Sequence, residues 1–95
     1  MNSLVIVGRI FSIREENNYT RLKIAVNRAY KSEDGYYDTD IIPIKLKGSI
    51  AKKTIEYCKK GDLIGIKGML ETENNRLIVN ASKVSFMQTS GNYYE

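Results

Sequence analysis

The chain has 95 residues, a formal net charge of +4 at pH 7, no histidine, no tryptophan and one cysteine. This length fits a single domain, and the absence of histidine excludes Ser-His-Asp and Cys-His catalytic sites as well as zinc sites that use imidazole. The single cysteine, Cys58, excludes an internal disulfide and a four-thiolate metal site, which favours a reducing cytoplasm.

The positive charge is concentrated in the first part of the chain. Residues 1–60 carry 12 Lys or Arg and 7 Asp or Glu, whereas residues 61–95 carry 3 and 4. A basic face formed by the first part would attract polyanions and release counterions on binding. Charge alone is a weak indicator, because many basic proteins bind nothing acidic.

A membrane location is not expected. The longest apolar run, residues 4–7, is far shorter than the roughly 20 residues that a membrane helix needs. Residues 1–3 contain no basic segment, so this run is predicted to be a strand and not a signal peptide.

The first two predicted strands cover residues 4–13 and 19–30. The first is apolar on both faces, with Leu4, Ile6 and Ile10 on one and Val5, Val7, Phe11 and Ile13 on the other. Such a strand is either central in a closed sheet or paired with another subunit. In the second strand, alternation separates the apolar Leu22, Ile24 and Val26 from the outward Arg21, Lys23, Ala25 and Asn27.

A polar loop at residues 31–38, with turn residues at 33–35, leads to a third predicted strand at residues 39–47. Its outward face is expected to carry Ile41, Pro43, Lys45 and Lys47. Because Pro43 lacks the N–H that a strand ladder needs, we expect it at a sheet edge or a bulge.

A short helix is predicted over residues 50–60, with Ser49 as its N-cap and Gly61 at its C′ position. Its buried face is expected to contain Ile50, Thr54, Ile55 and Cys58. A fourth strand at residues 62–72, a turn at residues 73–75 and a fifth strand at residues 76–86 follow. Tyr57 and Phe86 are expected in the core.

Five strands with one helix between the third and the fourth form the element order of an OB-fold, a small Greek-key barrel. The predicted fold class is therefore all-β, a five-stranded OB-fold Greek-key barrel with one short helix between strands 3 and 4. The strands follow one another too closely for βαβ units, which need a helix in each crossover. We expect one domain over residues 1–86 and a short flexible C-terminal tail over residues 87–95.

Three stretches resemble bacterial and phage-type single-stranded DNA-binding proteins. Their opening strand is similar to residues 2–10, NSLVIVGRI, and their second strand to residues 22–30, LKIAVNRAY. Their helix, its Lys-Lys-Gly end and the strand after it are similar to residues 48–70. The resemblance covers about residues 1–86. It implies an OB barrel that assembles as a homotetramer or a homodimer through strand 1, from Leu4 to Ile13.

The resemblance also implies how a ligand is bound: bases stack on aromatic side chains, and Lys or Arg contact phosphates. Tyr30 matches a stacking aromatic at the end of the second strand, beside Arg28 and Lys31. Tyr36 and Tyr37 lie in a loop that is a mobile arm in the family. Alternation alone places Tyr30 on the inner face, so packing in the core is the alternative for this residue.

The sequence departs from the family pattern at other stacking positions. Ile41 stands where Trp or Phe commonly opens the third strand, Lys47 replaces a Phe before the helix glycine, and the aromatic of the loop between strands 4 and 5 falls near Asn75. Because Lys45 and Lys47 share the outward face with Ile41, we expect weaker binding with a steeper salt dependence. The candidate DNA-binding residues are Tyr30, Arg28, Lys31, Tyr36, Tyr37, Lys45, Lys47, Ile41, Arg9, Arg21 and Lys23.

The leading hypothesis is a non-catalytic, sequence-tolerant protein that binds and protects single-stranded DNA in replication, recombination or repair, in the cytoplasm with the nucleoid. No cofactor or metal is expected. Family members continue into an acidic tip that recruits replication and repair proteins, whereas the last nine residues here hold one carboxylate side chain. The sequence therefore does not predict which replication or repair proteins bind to this chain. The alternatives are a primosome-type OB-fold adaptor that mainly binds a helicase or another replication protein, and an RNA-binding OB module.

Overall fold

The computed structural model describes residues 1–88. Its elements are β1 (Leu4–Glu15), β2 (Thr20–Lys31), β3 (Tyr37–Leu46), α1 (Gly48–Tyr57), β4 (Leu63–Glu73) and β5 (Arg76–Gln88). The strands close into a barrel in the order β1-β2-β3-β5-β4, and only the β3–β5 pairing is parallel. The predicted OB-fold with one helix between β3 and β4 is confirmed.

Alternation along β2 and β3 fills the barrel interior. Leu22 pairs with Ile44 and Ile24 with Ile42 across the two strands, and Leu22, Ile24 and Ile44 are fully buried. Every second residue of a strand points to the same face, so the residues between them face outward. The inward face that the sequence predicts for these two strands is therefore present in the structure.

A bulge changes which side chains of β1 face the core. The pairing of β1 with β2 shifts register between Ile10 and Ser12. An extra residue at a bulge reverses the faces of the residues that follow. Ile13 consequently packs against the core, while Phe11 is exposed. The prediction that these two side chains share a face is wrong.

The helix begins and ends earlier than the sequence suggests. Its N-cap residue is Lys47, which makes no side-chain capping bond, so Ser49 is not the N-cap. Cys58 caps the other end through its backbone N–H. The carboxylate of Asp62 then accepts a hydrogen bond from the backbone N–H of Lys59 at 2.8 Å, which holds the chain in a turn where a helix would otherwise continue.

The buried face of α1 also differs from the expected one. Ala51, Thr54 and Cys58 are buried, whereas Ile55 is exposed. Burial raises the pKa of the Cys58 thiol to about 11, so the thiol stays protonated and packs as a small apolar group. Gly61 has φ +95° in the turn after Lys60 and not directly after the helix.

Tyr57 and Phe86 are not core residues, contrary to the prediction. Their side chains are 40% and 39% exposed, and their ring centroids lie 6.0 Å apart. The aliphatic residues of the strands already fill the closed barrel. The two rings therefore pair with each other outside it, at the surface between α1 and β5.

The last strand covers the residues expected of it. β5 ends at Gln88, two residues beyond the predicted limit at residue 86. Residues 89–95, to which most of the predicted tail belongs, lie outside the described residues. Among residues 1–88, no helix has the length and apolar character needed to cross a membrane.

Candidate nucleic-acid interface

An open groove of about 680 Å³ lies between the outer face of β2 and β3 and the turn that joins β4 to β5. We call it the β2–β3 groove, and it is lined by Arg21, Lys23, Ile41, Pro43, Glu73, Asn74, Arg76, Leu77 and Ile78. The lining combines aliphatic side chains with three cations and a single carboxylate. Such a surface suits an extended polyanion that also presents flat apolar faces.

One wall of the groove follows from the alternation of β2 and β3. Lys23 is paired with Pro43, and Ala25 with Ile41, on neighbouring strands. Because these residues lie at alternate positions to the buried ones, their side chains form a row on the outer surface. Ile41 is 42% exposed in this row, which is typical of a contact surface and not of a core position.

The other wall depends on a two-residue turn. Asn74 and Asn75 both adopt positive φ, 55° and 64°, which Asn tolerates better than most residues. Such a turn matches the twist of a hairpin and fixes its register. Glu73 is therefore paired with Arg76, and Leu77 is left 62% exposed at the edge of the groove.

Lys45 is less accessible than the sequence suggests. Its ammonium group forms an ion pair with Glu73 and lies 5.5 Å from the ring centroid of Tyr19. Only 13% of its side chain is exposed. The hydrogen bond from Lys45 lowers the pKa of the Glu73 carboxyl and raises the pKa of Lys45, so both groups stay charged near neutral pH.

Arg21 and Lys23 line the groove together, as their outward positions predict. Arg21 donates a hydrogen bond to the hydroxyl oxygen of Tyr19 at 3.0 Å, and this bond raises the pKa of Arg21. Within residues 1–88, neither Lys23 nor Arg76 forms an ion pair. These two cations are consequently available to an anionic ligand without the loss of an internal partner.

The three tyrosines that we predict to contact DNA lie on a separate feature. We call it the β2–β3 arm and define it as residues 27–40. The pairing of β2 with β3 shifts register between Asn27 and Lys31, and Tyr30 is 66% exposed. Tyr36 and Tyr37 are exposed as well. Alternation from Leu22 predicts an inward Tyr30, but every residue of β2 from Asn27 to Lys31 is exposed, so this part of the strand has no buried face and the alternative of core packing for Tyr30 is wrong.

Two other arm residues support the tyrosines. Tyr37 belongs to β3 and pairs with Lys31, so the expected loop is shorter than predicted. The Lys31 ammonium lies 5.8 Å from the centroid of the Tyr37 ring. The intervening turn is held by Ser32, whose backbone N–H donates to the carbonyl of Tyr36 at 2.7 Å.

Arg28 is balanced by carboxylates of β3. Its guanidinium group donates two hydrogen bonds to Asp40, at 3.1 and 3.0 Å, and lies 3.6 Å from Asp38. The guanidinium group lowers the pKa of Asp40. Arg28 therefore adds little net positive charge to the arm at neutral pH.

Three of the predicted residues, Lys45, Lys47 and Arg9, line neither the groove nor the arm, and Lys45 touches the groove only through its ion pair with Glu73. The guanidinium group of Arg9 donates to the backbone carbonyl of Gly61 at 3.1 Å and to Gln88 Oε1 at 3.3 Å. Lys47 is exposed at the start of α1 and does not line the groove. The predicted residues thus separate into groove, arm and isolated positions.

Sequence reasoning missed two sets of residues. Six line the groove, namely Pro43, Glu73, Asn74, Arg76, Leu77 and Ile78. The seventh, Tyr19, contacts Arg21 and Lys45 without lining the groove. A signal for Glu73 and Arg76 was present, because an Asn-Asn pair between two strands predicts a tight hairpin that sets its flanking residues opposite each other. Nothing local in the sequence indicates that this hairpin faces β2 and β3.

An exposed apolar stripe covers the outer face of β1. Val5 is 71% exposed, Val7 44% and Met87 of β5 55%. A Cβ atom at Gly65 would lie 3.8 Å from both Val7 Cγ2 and Met87 Sδ, so these side chains meet above the glycine.

In residues 1–88, no three His, Cys, Asp or Glu side chains are grouped as metal ligands.

The model of the single-strand binding protein family matches residues 1–87. Single-stranded DNA-binding protein 1 of Clostridium acetobutylicum is 30% identical over 94% of this chain and 96% of its own length. The single-stranded DNA-binding protein of Clostridium tetani is 35% identical over 78% of this chain but only 55% of its own length. This chain therefore spans nearly all of one relative and about half of the other.

A solved structure shares the fold. The crystal structure of the small single-stranded DNA-binding protein from Streptomyces coelicolor superposes with a TM-score of 0.71 at 18% sequence identity. The match covers 92% of this chain and 94% of that one. At this identity the likeness shows a common barrel, and the binding surface has to be argued from the residues of this chain.

Proposed function

Because the chain belongs to the single-strand binding protein family, we propose that it binds single-stranded DNA without sequence preference and without catalysing a reaction. The observation that carries this proposal is the β2–β3 groove, where the cations Arg21, Lys23 and Arg76 surround aliphatic side chains. Phosphates would contact the cations, and base faces would pack on the aliphatic surface. Neither contact depends on base identity.

The β2–β3 arm extends the proposed path of the DNA. Tyr30, Tyr36 and Tyr37 present exposed rings, and every base has a face that stacks on such a ring. Lys31 would add a phosphate contact beside Tyr37. Ile41 lines the groove next to the arm, where it would support a base by packing in place of an aromatic ring.

The remaining predicted cations differ in how readily they could contact a phosphate. They are Lys45, Lys47, Arg28 and Arg9. Lys47 is exposed and free to reach a phosphate near the start of α1. Arg28 and Lys45 would have to exchange carboxylate partners for phosphate. Arg9 is already bonded to Gly61 and Gln88, so we place it last among the contacts.

Self-association through β1 is part of the proposal. Val5, Val7 and Met87 expose an apolar stripe, and a domain of this size buries only a modest fraction of its surface on folding. Pairing of two copies through this stripe would cover it and place two binding surfaces in one particle, as a homodimer or as half of a homotetramer. A monomer mass in light scattering at working concentrations would contradict this arrangement.

The biological role that fits these properties is the protection of single strands during replication, recombination or repair. We place that role in the cytoplasm, with the nucleoid, and we assign it no cofactor. Replication and repair proteins are the partners that such a role would bring into contact with the chain. These assignments rest on family membership and not on a feature of the groove.

The decisive experiment is a titration of intrinsic tyrosine fluorescence with oligo-dT, duplex DNA and single-stranded RNA at two salt concentrations. We expect quenching by oligo-dT, with an affinity that falls as salt rises because phosphate contacts release counterions. Equal binding of oligo-dT and duplex would contradict the proposal. A preference for RNA would favour an RNA-binding module, and weak binding of all three would favour a protein-binding adaptor.

A further inference from the structure

Glu73 is the single carboxylate that lines the β2–β3 groove within the described residues. It is the last residue of β4, and its carboxylate forms an ion pair with the ammonium group of Lys45 on β3, which itself does not line the groove. A negative charge in a surface that we assign to a polyanion needs an explanation. The surroundings of Lys45 provide one.

The need for a negative charge at this position comes from the strand register. Arg21 on β2 is directly paired with Lys45 on β3, and like charges that lie opposite each other destabilise a sheet. Tyr19 relieves part of this repulsion, because the Arg21 guanidinium and the Lys45 ammonium lie 5.8 and 5.5 Å from the centroid of its ring. Glu73 supplies the compensating charge.

The two partners differ in accessibility. The Lys45 side chain is 13% exposed and the Glu73 side chain 35% exposed. The carboxylate therefore lies on the solvent side of the pair, where an incoming anion would meet it first. A carboxylate and a phosphate offer similar acceptor oxygens to an ammonium group, so each can take the place of the other.

We propose that Glu73 competes internally with DNA phosphate for Lys45, so that DNA enters this end of the groove by displacing the Glu73 carboxylate. The inference rests on the proposed binding of single-stranded DNA and adds a residue that limits its strength. The Lys45–Glu73 pair carries no net charge, so when Lys45 takes a phosphate with Glu73 still beside it, the site adds no net positive charge to the DNA and few counterions are released. The exchange therefore contributes little to the salt dependence of the wild-type protein.

The proposal predicts that removing the competitor strengthens binding. In Glu73→Gln, Lys45 is free before DNA arrives, so one more phosphate contact releases a counterion. For single strands this steepens the slope of log affinity against log salt by about 0.7. The variant should bind oligo-dT more tightly than wild type at 50 mM salt, and its advantage should shrink about threefold between 50 and 200 mM salt.

Glu71→Gln is the matched control. Glu71 lies two residues earlier on the same strand, and its carboxylate accepts a hydrogen bond from Asn80 Nδ2 at 2.9 Å. The control removes the same charge from the same hairpin but leaves the Lys45–Glu73 pair in place. We expect it to keep the wild-type salt slope. The double variant Lys45→Gln, Glu73→Gln should lose the gain of Glu73→Gln.

Three results would overturn the inference while wild type still binds oligo-dT: equal effects of Glu73→Gln and Glu71→Gln, weaker binding by Glu73→Gln, or a gain that survives in the double variant. Failure of wild type to bind oligo-dT would instead overturn the proposed function itself. The two failures are therefore distinguishable.

A measurement on the wild-type protein covers the case in which Glu73→Gln does not fold. Glu73 faces Lys45 directly and has Arg21 and Lys47 as further charged neighbours, while Glu71 is a second acidic neighbour of Lys45. Carbon-detected NMR can follow the Glu73 and Glu71 carboxyls with and without oligo-dT. We expect DNA to raise the pKa of Glu73, because Glu73 loses its ammonium partner, and to change the carboxyl signal of Glu73 clearly more than that of Glu71. Equal changes at both residues would overturn the inference.

Discussion

The β2–β3 groove and the β2–β3 arm are formed by the same two strands, yet they offer a ligand different chemistry. The groove presents Lys23 and Arg76 without an ion-pair partner in the described residues. In the arm, Arg28 is balanced by Asp38 and Asp40, and the exposed rings of the tyrosines dominate the surface. The groove is thus suited to hold phosphates and the arm to stack bases.

The difference shows how charge and stacking can be separated along one hairpin. Near the barrel, the strands are regularly paired and alternation controls which side chains face outward. Beyond Asn27 the pairing becomes irregular and every residue of β2 is exposed, so alternation no longer separates a buried face from an outer one. The two regions therefore make different predictions for the salt dependence of binding, which variants can test.

The largest effect is expected in the arm, from Tyr30→Ala. Stacking of a base on an aromatic side chain is worth about 1–3 kcal/mol in proteins of this class, so affinity for oligo-dT should fall about 5- to 150-fold. The salt slope should stay at the wild-type value because no phosphate contact is lost. Affinities measured between 50 and 200 mM salt test both expectations.

Tyr30→Phe is the control for this variant, since it keeps the ring and should bind nearly as wild type does. A Tyr30→Ala protein with reduced thermal stability and unchanged affinity would assign Tyr30 to packing. That result would exclude Tyr30 from the binding surface and contradict the assignment of base stacking to the arm.

A smaller effect with the opposite signature is expected in the groove, from Lys23→Gln or Arg76→Gln. Each variant loses one phosphate contact, so the salt slope should become shallower by about 0.7 and affinity at about 0.1 M salt should fall roughly fivefold. The measurement is again the affinity for oligo-dT as a function of salt. Lys52→Gln, on the exposed face of α1 and outside the groove, removes the same charge and should change neither quantity by as much.

An unchanged slope in both groove variants would contradict the role of the groove as the phosphate-binding region. A slope that falls equally in Lys52→Gln would indicate that overall charge, and not the groove, drives binding. Either result would leave the arm as the only distinct surface.

The smallest effect is expected from Asp40→Asn in the arm. Asp38 still lies 3.6 Å from Arg28 in this variant, so Arg28 remains partly balanced and affinity should rise less than about twofold, as befits an exposed ion pair. The Arg28 partner lowers the pKa of Asp40. The difference between variant and wild type should therefore persist at neutral pH and disappear as pH falls through that lowered pKa. An increase as large as that of Glu73→Gln would contradict the contrast between arm and groove.

The inner and outer faces of the strands could be predicted because alternation is a local pattern. Alternation placed Leu22, Ile24, Ile44 and Leu46 inside, and their burial confirms it. Errors arose where the pattern is interrupted by features that alternation does not encode. A bulge after Ile10 moved Ile13 to the core side, and the Asp62 side chain ended the helix early.

The candidate site could be predicted only in part, for the same physical reason. Arg21, Lys23 and Ile41 lie on one strand pair, so their common face follows from the sequence. Glu73 and Leu77 reach the groove through the parallel pairing of β3 with β5, which involves Ile44 with Val79 and Lys45 with Asn80. That long-range closure of the barrel brings the hairpin opposite β2, and no local pattern records it.

The Asn74–Asn75 turn constrains how this surface could change in evolution. Both residues have positive φ, which β-branched and bulky side chains adopt only with strain, so point substitutions at the turn offer few new shapes. Insertions are a cheaper route, because each doubling of a flexible loop costs only about 0.6 kcal/mol. The depth of the β2–β3 groove beside this hairpin would therefore change mainly through the number of residues in the turn. Substitution of the turn side chains would change it less.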